Sequence, residues 1–270
     1  MFRSVAAARL DNEGNHAGPW RKTRTTHKSL WPGRYLRPIP QITKMPDLET
    51  LSPHAYRVEA PLPGGPLRRV MAVGKRSDGQ LVVFSAIQLD DAGMGALEAL
   101  GPVGFIIVPN GFHRIDAGRY AERYPNAKVL CPAASKGRVA AVARVDGTLE
   151  DYPDDPRVSV MYAAGTKQRE AAMVIRDEAD TTVVVCDAIF NMPHADGLAG
   201  FALKHITASS GGPTISRLAR FILVSDPKAL ASQFEEFAAL PNLKRVVVGH
   251  HQVIDQDPAG TLRTLAARLR

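Results

Sequence analysis

The run Gly104-Phe105-Ile106-Ile107-Val108 limits the fold more than any other feature of this chain. Successive side chains of a strand point to opposite faces, so a strand without a polar position must be covered on both sides. The segment after it has helical spacing over Ala117–Arg123, and a second apolar strand follows at Lys128–Cys131. Val246-Val247-Val248 near the C-terminus has the same two-sided character. A layered α/β architecture is therefore expected, with sheets inside and helices outside.

The other elements fit that frame. Arg69–Val73 and Leu81–Ser85 are β-rich runs separated by Ser77-Asp78-Gly79, which predicts a hairpin. Asp90–Leu100 has helical periodicity, with Asp90 as N-cap and Gly101-Pro102 as the stop. A short helix is expected through Ala133–Val142. Strands are expected at Val158–Tyr162, Ala171–Ile175, Thr181–Cys186 and Arg245–Val248, and helices at Thr214–Leu223, Pro227–Leu240 and Pro258–Leu269.

Charge divides the chain at about residue 45. Residues 1–45 hold nine of the 34 Lys and Arg against only Asp11 and Glu13, which accounts for the whole net charge of +7. The remainder is balanced, so the basic character belongs to the extension and nucleic acid is not an expected partner. Pro19, Pro32, Pro38 and Pro40 interrupt any apolar period in the extension, which reads as flexible or, through Trp20 and Trp31, partly docked. An Arg-rich start such as Met1–Leu10 fits a targeting peptide, an idea that Asp11 and Glu13 weigh against. Residues 46–270 are then one domain. No stretch approaches the roughly 18 apolar residues of a membrane span. Cys131 and Cys186 form no metal or disulfide pattern, which suits a reducing cytoplasm. Oligomeric state is not legible at this level.

Three segments carry a family likeness. Val108-Pro109-Asn110-Gly111-Phe112-His113-Arg114-Ile115-Asp116-Ala117-Gly118 resembles the first metal motif of metallo-β-lactamase-fold hydrolases. Val185-Cys186-Asp187-Ala188-Ile189-Phe190 resembles their later strand, whose Asp bridges two metals. Val246-Val247-Val248-Gly249-His250 resembles their last strand, which ends in a ligand His. More narrowly, Pro109-Asn110-x-x-His113, Tyr124-Pro125 and Cys131-Pro132 are similar to a bacterial branch of that superfamily, the DUF4336 group. The resemblance implies an αββα four-layer sandwich, two packed mixed sheets with helices outside.

It also implies a metal site that has lost donors. The family motif is His-x-His-x-Asp-His with a Gly three residues on. Registering Gly118 with that Gly places Asn110, Phe112, Arg114 and Ile115 at the four ligand positions. A one-residue slip places Gly111, His113, Ile115 and Asp116 there instead. The family's Gly-His-Thr segment corresponds to Gly165-Thr166-Lys167, where Thr166 or Lys167 replaces an imidazole. Only Asp187 and His250 coincide cleanly with ligands. Catalytic zinc needs about three protein ligands and an open position for water, so a two-metal centre is not expected.

His113, Asp187 and His250 are thus the candidate ligands for a single divalent metal, zinc first, with Asn110 as a hydrogen-bonding member of the pocket. The alternative is no metal at all. His251 is read as a spectator, His194 as a lesser candidate, and His54 and His205 as surface or packing residues. Cys186 is read as packed and inert, and Ser209–Pro213 as a loop before a helix, with anion binding as the sharper option. Two functions stay open: a mono-metal hydrolase acting on a small molecule, and a non-catalytic protein that binds an anion in the former cleft through Arg114. In both, conventional two-zinc hydrolysis is absent.

Overall fold

A computed structural model of the chain describes residues 47–63 and 66–270. The extension, with Trp20 and Trp31, lies outside the described residues.

One sheet has seven strands in sequence order: β1 (Glu49–Ser52), β2 (Ala55–Pro61), β3 (Arg68–Lys75), β4 (Leu81–Phe84), β5 (Val103–Ile107), β6 (Lys128–Cys131) and β7 (Gly147–Thr148). It is antiparallel from β1 to β4 and parallel from β4 to β7. The second sheet comprises β8 (Val158–Tyr162), β9 (Ala171–Arg176), β10 (Thr181–Val184) and β13 (Leu243–Val247), in the order β13-β10-β9-β8. A small ribbon pairs β11 (Phe190–Met192) with β12 (Gly212–Thr214).

Strand alternation explains the layers. In β5, Phe105 and Ile107 point toward the second sheet, and Ile106 points toward the outer helices. Val82 and Phe84 of β4 likewise meet Met173, Ile175 and Val184 between the sheets. Outside the first sheet lie α1 (Asp91–Leu100), α2 (Ala117–Arg123) and α3 (Lys136–Ala140), which bury Met94, Leu97, Tyr120 and Val139. Outside the second lie α6 (Pro227–Ala238) and α7 (Pro258–Ala267), with Leu230, Phe234, Leu262 and Leu265 turned inward. At about 25 cal/mol per Å² of buried apolar area, these three apolar layers are the main stabilising term. The four-layer αββα sandwich is the expected architecture. Two further helical segments, α4 (Gly197–Phe201) and α5 (Arg217–Ile222), follow β11 and β12.

Most element boundaries lie within a few residues of expectation. Asp90 caps α1 by accepting from the Gly93 amide at 2.8 Å. Strands β1, β2, β7, β11 and β12 are additions; β2 is half-polar (Ala55-Tyr56-Arg57-Val58-Glu59-Ala60-Pro61) and lacks a strong apolar signature. The helix expected from Thr214 is corrected: Thr214 belongs to β12 and α5 starts only at Arg217, capped by Ser216, so it does not open onto the Ser209–Pro213 loop. Among the described residues, no helix is long and apolar enough to cross a membrane.

Candidate functional site

The pairing of β10 with β13 brings two site residues together. These strands are parallel and in register, Val184 opposite Val247. Asp187 and His250 each follow their strand by three residues, so both leave the sheet at the same end. Gly249 makes the approach close: a Cβ there would lie 3.0 Å from Cys186 Sγ and 3.2 Å from the Cys186 carbonyl carbon. The first sheet opens toward the same edge, with β4 and β5 parallel and Phe84 opposite Ile107. Ser85 follows β4, and the loop 108–116 after β5 delivers Asn110 and His113.

His113 Nε2, Asp187 Oδ1 and His250 Nε2 converge. The separations are 3.2 Å from His113 to Asp187, 3.0 Å from His250 to Asp187 and 3.2 Å between the imidazole nitrogens. The opposite ring nitrogens are tied down. His250 Nδ1 donates to the Arg68 carbonyl at 2.8 Å, which leaves the lone pair of a neutral ring at Nε2. His113 Nδ1 lies 3.0 Å from Ser85 Oγ. The His250 ring also stacks on Phe190, with centroids 4.9 Å apart and planes 8° from parallel. Two residues beside the site, Ser85 (φ 60°) and His251 (φ 65°), adopt the left-handed backbone conformation. That costs an ordinary side chain on the order of 1 kcal/mol or more, and such strain gathers where surrounding structure enforces a functional geometry.

Beneath the three groups sits a buried polar layer. Asn110 donates from Nδ2 to Asp187 Oδ2 at 2.8 Å and to Glu170 Oε2 at 3.3 Å. Its Oδ1 accepts from the amides of Phe112 and His113 at 2.9 and 3.0 Å. Glu170 is fully buried and accepts from the Asp187 amide at 3.1 Å and the Ala188 amide at 2.8 Å. The Ala171 amide bonds to the Pro109 carbonyl, which sets Glu170 below Asn110.

The two carboxyls titrate as a pair. Burial, then the Asp187 charge, pushes Glu170 up to about 8. Burial also works against the Asp187 carboxylate, but the His113 and His250 imidazoles hold it well below the usual range. The negative charge therefore resides on Asp187 and the proton on Glu170. Burial lowers the affinity of His250 for a proton, yet Asp187 and the Arg68 carbonyl outweigh it and raise the net value. Three acceptor atoms this close repel one another unless a proton or a cation lies among them. Zinc donors at 2.0–2.2 Å stand about 3.3–3.6 Å apart around a tetrahedral ion, near the observed spacing. Held second nitrogens are also the usual support of a metal-ligating His. These three residues could hold a metal ion. A cleft of about 200 Å³ opens onto them, walled by Leu62, Leu67, Phe112 and Ile115.

Of the residues that the two registers of the first motif put at ligand positions, His113 joins the convergent group and the others stand elsewhere. Asn110 orients Asp187 and the loop. Phe112 and Ile115 are half-exposed on the cleft wall. Arg114 donates to the Gly111 and Arg138 carbonyls at 2.9 and 2.8 Å, so it occupies no ligand position and offers no anion site in the cleft. Asp116 is buried against Arg69 at 2.6 Å and accepts from the Gln88 amide. Thr166 is buried with its hydroxyl on the Ala163 carbonyl, and Lys167 is exposed. His251 pins the β2–β3 hairpin by accepting from the Arg68 amide at 3.1 Å. His194 bonds Ser210, His205 packs against Phe201 with the rings tilted by 42°, and His54 lies 3.8 Å from Asp177, all apart from the convergent group. Burial raises the Cys186 thiol well above its ordinary value, with the Asp187 charge adding to it. Sequence reasoning missed Glu170, Ser85 and the Arg68 carbonyl. An acid abutting the wholly buried run Ala171–Ile175 was the available signal for Glu170.

Two stacked mixed sheets with helices on both outer faces make up the metallo-β-lactamase fold, and the His–Asp–His group lies at their strand ends. Solved structures of that fold superimpose on this chain over most of its length. DIM-1 metallo-β-lactamase matches with a TM-score of 0.55 at 10% identity, covering 84% of this chain and 100% of its own. The metallo-β-lactamase from Pontibacter korlensis matches at 0.55 and 11%, covering 82% and 99%. That from Hirschia baltica matches at 0.53 and 11%, covering 83% and 98%. No family model matches the sequence, and no curated protein does either.

Proposed function

We propose that this chain is a metallo-β-lactamase-fold hydrolase with a reduced metal site, in which His113 Nε2, Asp187 Oδ1 and His250 Nε2 hold one divalent cation, zinc in the first instance. The observation that carries this is the convergence of three acceptor atoms within 3.2 Å, with both imidazoles fixed from behind. A zinc ion lowers the pKa of bound water from about 15.7 to near 7, which supplies hydroxide at neutral pH.

The chain's own residues do the positioning. The Arg68 carbonyl sets the His250 tautomer, Ser85 holds His113, and Asn110 presents one Asp187 oxygen by engaging the other. Leu62, Leu67, Phe112 and Ile115 give the cleft an apolar wall and favour a small substrate with an apolar portion. One ion is assigned because His113, Asp187 and His250 are the one group of His, Cys, Asp or Glu donors that converges among the described residues. The Pro109-Asn110-x-x-His113 loop supports placement near the DUF4336 group, and two unpaired, buried thiols suit the cytoplasm. The non-catalytic, anion-binding reading rested on Arg114, whose guanidinium is committed to backbone carbonyls.

Metal analysis of purified protein tests the proposal, together with hydrolysis of ester, thioester, lactone and β-lactam panels before and after chelation. One equivalent of metal is expected, lost in His250→Ala, with any hydrolysis lost in parallel. Two equivalents, or none together with chelator-insensitive stability, would overturn it.

A further inference from the structure

The stretch Gly197–Ser225 contains no Asp or Glu, but carries Lys204, Arg217 and Arg220. It also holds six of the eight exposed large apolar side chains among the described residues: Leu198, Phe201, Ile206, Leu218, Phe221 and Ile222. Leu198 is 91% exposed and Phe221 is 90% exposed.

The arrangement inverts that of an ordinary surface helix, which buries its large apolar residues. Here α4 buries Gly200 and α5 buries Ala219, while the large side chains face out. In α5 the outward residues Leu218, Phe221 and Ile222 follow i, i+3, i+4 spacing and share one face. The segment before it is an α turn running into a π-helical turn at Ala202–Ile206. The two are fastened together: the Arg217 amide donates to the Thr207 carbonyl at 2.8 Å, and Arg217 Nη1 donates to the His205 carbonyl at 3.0 Å. Their exposed side chains therefore stand on one piece of surface.

We infer that this surface docks onto an anionic lipid bilayer. Apolar side chains on a stretch with three exposed cations, and acids only at its two ends (Asp196 and Asp226), enter the headgroup boundary while the cations meet lipid phosphates. Charge decides against the other occupants. Residues 1–45 carry the whole net +7 of the chain and would be repelled. A second copy related by a two-fold axis would set Lys204, Arg217 and Arg220 against the same three cations, with only Asp196 and Asp226 at the ends of the stretch to offset them. Against an anionic bilayer, the extension adds attraction of the same sign.

The test is co-sedimentation of the full chain with vesicles of phosphatidylcholine, alone or mixed with phosphatidylglycerol. Binding is expected to the mixed vesicles, to weaken with salt, and to fall roughly tenfold or more in the Leu198→Ser/Phe221→Ser variant. Lys204→Glu is expected to weaken it by about fivefold or more. All substituted side chains lie on the outer surface, and circular dichroism checks that both variants fold. Absence of vesicle binding overturns the inference. So does binding that the double variant leaves unchanged, which would trace it to the extension alone. A wild-type dimer that the double variant dissociates would assign the surface to a second copy instead.

Discussion

Truncating Asn110 to Ala removes four hydrogen bonds from the floor of the site. The bond to the Asp187 carboxylate is charge-assisted and contributes roughly 1.5–3 kcal/mol, whereas a neutral bond contributes about 1. The Phe112 amide lies in a half-exposed part of the loop, where water can replace Oδ1, so its loss counts for less. The His113 amide loses its partner outright, whereas Glu170 Oε2 gives up one donor and keeps the Asp187 amide. The sum is a destabilisation of about 3–5 kcal/mol. For a folded unit of this size, at roughly 2–4 °C per kcal/mol, the melting temperature would drop by about 6–20 °C. Urea unfolding at pH 7 in chelator, followed by circular dichroism, measures it. Asn110→Asp is the companion variant: it sets a second carboxylate against Asp187 beside the protonated Glu170, and should be hurt more at pH 8, where Glu170 ionises, than at pH 5. A loss in Asn110→Ala within about 0.5 kcal/mol, the range of an ordinary surface change, would refute the claim that this amide holds the site.

Three further outcomes are expected. His250 has a raised pKa in the metal-free fold, so its contribution is fully present below about 6.5 and fades as pH rises through the folded value; His250→Ala should flatten that part of the metal-free stability–pH curve. Asp155 accepts from the Ser77, Arg157 and Val158 amides and the Ser77 hydroxyl. Burial opposes its ionisation, but these donors lower its pKa, so its contribution is present above about 3.9 and lost as pH falls through the folded value. Asp155→Ala should cost about 2–4 kcal/mol at pH 7 and shift acid unfolding upward in pH. Cys131 and Cys186 are buried with thiol pKa values pushed up, the former to about 11, so neither should react with a thiol reagent until the protein unfolds.

The layered fold was legible because strand alternation is a local code. Gly104–Val108 has no polar position, so two covering layers follow from five residues. Asp90 and Pro227 marked helix starts through equally local chemistry. Asp187, His250 and His113 stood out because each ends or follows an apolar strand, and Asn110 because it opens the same loop. What the sequence could not supply was which residues meet across the two sheets. Glu170 lies 60 positions from Asn110, and the Arg68 carbonyl lies 182 from His250; no periodicity relates them. Arg114 and Asp116 carried the right chemistry for a site, yet the turn of their loop points one at backbone carbonyls and buries the other against Arg69. Side-chain type is written in the chain, but direction depends on how the β10–β13 register and the 108–116 loop close around one point, and only tertiary packing decides that.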